Sequence, residues 1–350
     1  MRRSAASGFL ILLVLCHAVA GTLRAGELSR ASIQAAADYS SGRRGDAMLV
    51  IQNGREIFSQ YANGSHSGEA HKIYSGTKGF WIVAALQAEK EGILKLDERV
   101  SETLPEWRLD PRKARVTIRE LLNFTSGLDA EFSLHGDGVP DRNAVALRVP
   151  MMADAGRRFI YGPAALQVYG EALKRKLAPH GQDPIGYLER KVLKPLGLGS
   201  QRYKKDRRGN PLLATGFQMT ATQWARMGRL ILAGGAPVVE SRLLAQALRG
   251  SGANPAFGMG FWNNRAASQP GAREFDIENM LERKAPQQDW QNACLCRAAP
   301  PDLVAAIGSG YQRLFVIPSL DLIVVRQGRD ARFSDGEFLR LLLGKQAADR

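Results

Sequence analysis

Residues 73–86, IYSGTKGFWIVAAL, place a serine and a lysine at the head of the most apolar run of the chain. Ser75 and Lys78 are three residues apart, so on a helix their side chains share one face. A hydroxyl that opens this helix would lie at the positive end of the helix dipole, which favours a developing alkoxide. Burial against the apolar residues that follow would disfavour the charged ammonium of Lys78 and lower its pKa. The stretch therefore predicts a buried helix that begins at a serine nucleophile, with Lys78 as its base.

A purely structural interpretation of the same residues is a helix-capping serine followed by a lysine whose ammonium reaches solvent. The serine–lysine spacing occurs once in this sequence, and a chain of this length contains about one by chance. A lysine nevertheless has no structural reason to head such an apolar helix. From these residues alone, both interpretations stay open.

The composition is that of an ordinary soluble globular protein. The chain has 350 residues, of which 45% are hydrophobic and 23% charged, close to the averages for folded domains. These values exclude a disordered tail, a collagen-like chain and a polytopic membrane protein. Three cysteines in this length exclude a disulfide-stapled scaffold. Cys294 and Cys296 are separated by one residue, which disfavours a disulfide, and lack partners for a four-ligand zinc site, so their role stays open.

The N-terminus has the pattern of a secretory signal peptide. Two arginines precede a short apolar run at residues 9–20, which ends in AVA, a small-x-small cleavage pattern. We expect a signal peptide at residues 1–20, with a second cleavage point after Ala25, and a mature domain at residues 26–350. The run is shorter than the ~20 apolar residues of a membrane span, although an uncleaved anchor is the alternative. The expected location is therefore periplasmic or secreted, with no membrane span after cleavage.

The chain is basic, because 48 Lys and Arg residues against 34 Asp and Glu residues give a net charge of +14. The basic clusters at residues 112–115 and 204–208 lack the interleaved aromatic residues of a nucleic-acid surface, and export would separate the chain from nucleic acid. We therefore expect no nucleic-acid partner. The clusters are interpreted as solvated faces, with at most a weak association with anionic envelope polymers.

Strand-like runs stand near both ends of the chain, with helical patterns between them. Asn53-Gly54 predicts a hairpin turn, and Thr117 with Glu120 predicts a capping box. Strands are predicted at residues 47–52, 55–61, 258–262, 303–307, 312–317 and 322–325, and helices at residues 79–86, 117–122, 164–177, 221–232 and 335–343. The order predicts an α/β (α+β) fold with an antiparallel sheet flanked by helices. The sheet is formed from both chain ends, at about residues 26–74 and 236–350, and an all-helical region is inserted at about residues 75–235.

Residues 73–80 resemble the first motif of the serine β-lactamase and penicillin-binding-protein superfamily, in its class C and esterase-like branch. Four further landmarks follow in the order of that family, and together they span about residues 47–328. They are EGILKLD at 91–97, VTIRELLNFTSGL at 116–128, GFQMTA at 216–221 and QRLFVIPSLDLIVV at 312–325. The resemblance implies a β-lactamase-like fold and a catalytic role for Ser75 and Lys78.

The second motif of this family is a tyrosine, any residue and an asparagine. Tyr161, which follows GRRFI at residues 156–160, is similar to that tyrosine, and the resemblance implies a phenol that relays a proton between the nucleophile and the leaving group. Pro163 stands in the place of the asparagine and cannot donate a side-chain amide. A literal match at residues 61–63 precedes Ser75 and is interpreted as the end of a strand. The structural alternative for Tyr161 is a core tyrosine bonded to the backbone.

The third motif departs further from the family pattern, because Ala306 stands where the family often has a cation. Since that cation recognises a carboxylate in β-lactamases, its absence implies inefficient β-lactam turnover. Gly308 and Gly310 suit a close backbone approach to a ligand, and the N–H of Ser309 is the candidate second oxyanion donor beside that of Ser75. The alternative is a flexible connection between two strands.

The sequence therefore predicts an exported serine hydrolase that forms an acyl-enzyme with a small-molecule or peptide substrate carrying an ester or amide. No metal or organic cofactor is expected, and His66, His71 and His135 show no metal-ligand spacing. One alternative is a catalytically inactive protein of the same fold that binds cell-wall fragments, which Pro163 and Ala306 favour. Another is a structural envelope protein whose basic surface binds anionic polymers.

Overall fold

The structure is a computed structural model, and it describes residues 26–278, 290–329 and 331–345. The signal peptide expected at residues 1–20 lies outside the described residues. Across the described ranges, no helix combines the length and the apolar character that a membrane crossing requires.

A six-stranded antiparallel sheet forms the centre of the fold. The strands of the large sheet and of two small two-stranded sheets are, in chain order, β1 (Gly45–Gln52), β2 (Arg55–Tyr61), β3 (His71–Lys72), β4 (Gln218–Met219), β5 (Trp262–Asn263), β6 (Arg273–Glu274), β7 (Ala293–Cys294), β8 (Val304–Gly308), β9 (Gln312–Ile317) and β10 (Leu322–Gly328). The order across the large sheet is β2-β1-β10-β9-β8-β5. The N-terminal hairpin thus pairs with the last strand, which confirms the prediction of a sheet built from both chain ends.

The four interior strands of this sheet are covered on both faces, because every residue of β1, β8, β9 and β10 is buried. Val50 pairs with Val324, which in turn pairs with Phe315, so large apolar side chains align across the strands and favour the sheet. The hairpin between β1 and β2 turns at Asn53 and Gly54, whose φ values of 52° and 73° are those that a type I′ turn requires.

Helices cover the sheet and form the inserted region. They are α1 (Arg30–Ser41), α2 (Thr77–Lys90), α3 (Val100–Thr103), α4 (Ile118–Leu122), α5 (Arg142–Arg148), α6 (Pro163–Leu177), α7 (Pro184–Leu188), α8 (Ala221–Leu232), α9 (Ser241–Ala247) and α10 (Asp335–Leu342). Helices α1 and α10 pack together beside the sheet, and α8 packs on β9 and β10. The contact of α8 depends on Gly228, since a Cβ there would lie 2.6 Å from the side chain of Ile323.

Helix α2 is the buried centre of the helical region, as its apolar run predicts. Every residue from Thr77 to Ala88 is buried, and the neighbouring α4 begins at the predicted capping box of Thr117 and Glu120. Helix α8 falls in the stretch that the sequence assigns to the helical region, yet it packs on the sheet. It therefore connects the two parts of the fold.

Two local predictions are wrong. Helix α2 begins at Thr77 rather than at Ser75, because Tyr74–Gly76 forms a separate 3-10 turn. The strand predicted at residues 258–262 is mostly a turn, in which the N–H of Gly258 donates to the carbonyl of Phe261 at 2.9 Å. Its glycines favour that turn, and regular pairing with β8 begins only at Trp262.

Candidate active site

A strained turn presents Ser75. Tyr74, the residue before it, has a φ of +43°, a left-handed conformation that is costly for a large side chain and is often found at functional sites. Gly76 lets the turn approach α8 closely, since a Cβ on Gly76 would lie 2.6 Å from the ring of Trp224. The turn is thus held against α8, and Ser75 is left half-buried at the edge of a cleft.

Lys78 lies in the first turn of α2, directly beneath Ser75. Its Nζ is 2.7 Å from the Oγ of Ser75 and 3.0 Å from the carbonyl oxygen of Ala214. The side chain is only 2% exposed, so it does not reach solvent as the structural interpretation requires. Burial lowers the pKa of Lys78 to about 7, because a charged ammonium is poorly solvated there. At neutral pH a large fraction of this amine is uncharged and can accept the hydroxyl proton of Ser75.

Tyr161 faces the same pair from an aromatic cluster. Its ring centroid lies 5.1 Å from that of Phe124 and 5.9 Å from that of Phe257, and the Nζ of Lys78 is 4.7 Å from the Tyr161 centroid. Burial raises the pKa of the Tyr161 phenol to about 12, and a hydrogen bond with Ser75 acts in the opposite direction. The phenol is therefore protonated at neutral pH and is linked to the hydroxyl of Ser75.

The start of α6, directly after the loop that carries Tyr161, explains the proline. Pro163 is the first residue of α6, a position where proline is favoured because the N–H there has no partner within the helix. It brings no polar side chain to the cleft. Tyr161 is consequently placed by the aromatic cluster and by the start of α6.

Gly308 allows β8 to reach the serine turn. A Cβ on Gly308 would lie 2.1 Å from the carbonyl oxygen of Ile73, two residues before Ser75, so no larger residue fits at this contact. Ser309 follows Gly308 and lines the same cleft as Ser75. Gly310 has a φ of +71°, a conformation that glycine adopts without strain. The structure thus brings predicted residues of all three motifs to one cleft, namely Ser75, Lys78, Tyr161 and Ser309, while Gly308 and Gly310 flank Ser309 without lining it.

Glu278 is a cleft residue that the sequence reasoning missed. Its carboxylate accepts hydrogen bonds from the backbone N–H groups of Gly310 and Tyr311, the latter at 2.9 Å, and lies 3.2 Å from the guanidinium of Arg313. Burial raises the pKa of Glu278, while the charge of Arg313 and the two amide N–H groups act in the opposite direction. Asp335 lies 2.7 Å from the same arginine. No local pattern marks Glu278, because the groups that bind its carboxylate are more than thirty residues away in the sequence.

An open cleft of about 850 Å³ is large enough for a small-molecule substrate and is lined by Ser75, Lys78, Tyr161, Glu278 and Ser309. The remaining lining residues are mainly aromatic or basic and include Lys72, Tyr74, Phe132, His135, Arg202, Tyr203 and Lys204. Burial, followed by the positive charges of Lys78, Lys204 and Arg142, lowers the pKa of His135 to about 4. This imidazole is therefore neutral. The sequence analysis considered His135 only as a metal ligand, a role that its spacing does not support.

Across the part of the chain that the structure describes, no three His, Cys, Asp or Glu side chains form a candidate metal site. Cys294 and Cys296 are buried free thiols that do not line the cleft. Burial raises the pKa of Cys294 to about 12 and that of Cys296 in the same direction. Both are therefore protonated at neutral pH, a state of low reactivity.

The chain belongs to the beta-lactamase family, whose family model matches residues 30–326. Its fold is shared with a D-stereospecific amidohydrolase from Streptomyces sp., at a TM-score of 0.61, 15% identity, and coverage of 90% of this chain and 99% of the other. A penicillin-binding protein homologue from Pyrococcus abyssi superimposes with a TM-score of 0.61 at 18% identity, covering 89% of this chain and 76% of the other. These comparisons confirm the family and the fold predicted from the sequence.

A curated relative is monacolin J acid methylbutanoyltransferase from Aspergillus terreus, which is 29% identical over 171 residues. The match covers 40% of this chain and 40% of the relative, so the chain spans about two-fifths of the length of that protein. The chain is thus a member of a beta-lactamase-fold family whose relatives are named as hydrolases and acyltransferases.

Proposed function

We propose that the chain is an exported serine hydrolase that cleaves an ester or an amide through a covalent acyl-enzyme on Ser75. The observation that carries this proposal is the 2.7 Å contact between the Ser75 hydroxyl and the buried amine of Lys78. A serine hydroxyl is a weak nucleophile on its own, and an adjacent uncharged amine is one of the groups that activate it. Export is supported by the N-terminal sequence pattern alone.

Acylation begins when the Oγ of Ser75 attacks the substrate carbonyl carbon and its proton moves to the Nζ of Lys78. The carbonyl oxygen becomes an oxyanion, for which the backbone N–H groups of Ser75 and Ser309 are the proposed donors. The intermediate collapses as the carbon–leaving-group bond breaks. Tyr161 donates its phenolic proton to the departing oxygen or nitrogen and regains one from the ammonium of Lys78.

Deacylation repeats these steps with water as the nucleophile. The water gives a proton to Lys78 as it attacks the acyl carbon, and the Oγ of Ser75 leaves and is reprotonated. The products are a carboxylic acid and the free enzyme. An alcohol in place of the water would give acyl transfer, the kind of activity in the name of the Aspergillus terreus relative.

A catalytically inactive binding protein of the same fold is the second candidate. Two observations favour this candidate. Pro163 has no side-chain donor, and Ala306 is a buried apolar residue of β8. Such a protein would bind cell-wall fragments without cleaving them. Ligand stabilisation that survives Ser75→Ala, with no ester hydrolysed, is the result that this candidate requires.

Intact-mass labelling with a fluorophosphonate tests the proposed nucleophile. We expect one covalent adduct on the wild-type chain and none on Ser75→Ala, provided that thermal unfolding shows both to be folded. Ser309→Ala is the matched control, because it removes a cleft hydroxyl but keeps the backbone N–H, so it should still be labelled. An unlabelled wild-type chain across a broad probe panel, or a labelled Ser75→Ala chain, would refute the assignment.

A further inference from the structure

Three cations occupy one wall of the cleft. Lys72, Arg202 and Lys204 all line it, and we call these three residues the cationic wall. Lys72 pairs with Gln218 in the ladder of β3 and β4. Gly216, two residues before Gln218, packs against the segment at residues 202–204. A Cβ on Gly216 would lie 3.6 Å from the carbonyl oxygen of Arg202 and from the amide nitrogen of Lys204. The strand pair and this neighbouring segment thus form a continuous surface.

The charge of the cationic wall is only partly neutralised. Lys204 lies 2.7 Å from the exposed Asp137 and also donates to the carbonyl of His135. Lys72 and Arg202 are exposed, and they are absent from the ion pairs formed within the described ranges. Two cations are therefore available to an anion that enters the cleft.

Among the described residues, the β8 side of the cleft contributes no cation to the lining. Ala306 and Ile307 of β8 are apolar, and Ile307 lines the cleft. The carboxylate of Glu278 is already bound by two backbone N–H groups and by Arg313, so its charge is largely compensated. A cleft that carries an excess of charge of one sign concentrates ligands of the opposite sign. The asymmetry therefore favours a negatively charged substrate, held on the side of β3 and β4.

Aromatic surface lies beside these cations. Tyr74 and Phe132 line the cleft and are 40% and 57% exposed, unusually high for large apolar side chains in this protein. The neutral ring of His135 stacks on Phe132 with centroids 6.3 Å apart. An aromatic or apolar group of a substrate would bury this surface on binding.

We propose that the cleft selects ester or amide substrates that carry a carboxylate, which binds the cationic wall while an aromatic or apolar portion packs against Tyr74 and Phe132. This substrate class rests on the proposed function. The charge is recognised by β3 and by the loop at residues 202–204, rather than by β8.

Two rigid pairs of esters test the proposal without fixing which side of the scissile bond carries the charge. The first pair is 4-acetoxybenzoate and 4-acetoxybenzamide, in which the leaving group is charged or neutral. The second pair is the 4-nitrophenyl ester of 4-carboxybenzoic acid and that of 4-carbamoylbenzoic acid, in which the acyl group is charged or neutral. We expect kcat/KM to be about tenfold higher for the carboxylate in at least one pair, and the ratio to shrink in 0.5 M salt as charges are screened.

The double variant Lys72→Gln/Arg202→Gln should bring that ratio close to one. Lys205→Gln/Arg207→Gln is the matched control, because it removes one lysine and one arginine charge from exposed residues next to the cationic wall that do not line the cleft. Its ratio should equal that of the wild type. A wild-type ratio near one in both pairs, or a preference that persists in the double variant, would overturn the proposal.

Failure of the proposed function is distinguishable from failure of this inference. Binding of terephthalate and of neutral terephthalamide to Ser75→Ala, measured by NMR titration, makes the same comparison without turnover. Tighter binding of terephthalate, lost in the Lys72→Gln/Arg202→Gln background, supports the cationic wall even if no ester is cleaved. Equal binding of both compounds contradicts it even if the wild-type enzyme is active.

Discussion

The two sides of the cleft are built in different ways. Ser75 and Lys78 come from one continuous stretch, and a 3-10 turn followed by the buried helix α2 holds them together. The opposite side is the turn between β8 and β9, which carries Ser309. Glu278 and Arg313 hold that turn through the N–H groups of Gly310 and Tyr311 and through the carbonyl of Gly308. The first side is thus local in sequence, while the second is assembled from distant segments.

The helix side of the cleft supplies the reactive groups, whereas the turn side positions a backbone N–H. On the helix side, desolvation tunes the base itself, because burial alone lowers the pKa of Lys78. On the turn side, charged groups bind backbone atoms and hold an amide in place. Substitutions on the helix side should therefore abolish the reaction, whereas those on the turn side should weaken it.

The largest effect is expected for Lys78→Met, which keeps the length and burial of the side chain but removes the amine. Loss of the base should lower kcat/KM for ester hydrolysis by about 10⁴-fold, the upper range for general base catalysis. The same variant should be more stable than the wild type, since it no longer buries a titratable amine. A Lys78→Met chain that keeps its activity would contradict the assignment of Lys78 as the base on the helix side of the cleft.

The stability gain of Lys78→Met should depend on pH in a defined direction. The pKa of Lys78 is about 7 in the folded chain, against an ordinary value of 10.5, so the unfolded chain binds more protons between these limits. Wild-type stability therefore rises over that range. Thermal unfolding should show the largest gap between variant and wild type below pH 7, and a narrowing gap toward pH 10.5.

Tyr161→Phe is expected to have the next largest effect. It keeps the ring in the aromatic cluster but removes the hydroxyl that reaches Ser75, so kcat should fall by about 10²–10³-fold with a smaller change in KM. Tyr203→Phe is the matched control, because the Tyr203 hydroxyl also belongs to a cleft-lining ring but bonds to Glu189. Equal losses in the two variants would contradict a relay role for Tyr161.

The pH profile of the wild type should follow Lys78. Only the uncharged amine can accept the proton of Ser75, so kcat/KM should rise about tenfold per pH unit below pH 7 and level off above it. From pH 5 to pH 8 the increase is expected to be about 10²-fold. The phenol of Tyr161, with a pKa of about 12, should not limit the rate in this range. A profile that is flat through pH 7 would show that another group governs acylation.

The smallest effect is expected for Glu278→Gln on the turn side. The amide keeps the shape of the side chain but cannot accept from two N–H groups and Arg313 as the carboxylate does. The Ser309 turn should loosen, and kcat should fall about tenfold with KM nearly unchanged, since a misplaced oxyanion donor costs transition-state binding. Asp276→Asn, which alters a neighbouring carboxylate bonded to the Tyr311 hydroxyl, serves as the control. If Asp276→Asn slows the reaction as much, the loss is not specific to the contacts of Glu278 with the two backbone N–H groups.

The predictable part of the molecule is the part encoded by short-range patterns. The hairpin at Asn53-Gly54, the capping box at Thr117 and the buried helix after Lys78 all follow from residues within about one turn of each other. The strand predicted at residues 258–262 was wrong, because a tertiary contact decides there. A Cβ on Gly258 would lie 2.1 Å from the carbonyl oxygen of Ala247, so the backbone turns against α9 instead of extending.

The amino-acid sequence alone determined the family, the sheet formed from both chain ends, and the pairing of Ser75 with Lys78 on one face. Helical spacing and apolar burial are local properties, which a linear pattern records. Only the tertiary structure placed Glu278 against the β8–β9 turn, Tyr161 beside aromatic rings from two other segments, and three cations on one wall of the cleft. These groups are far apart along the chain, and their proximity depends on how the helices and the sheet pack together.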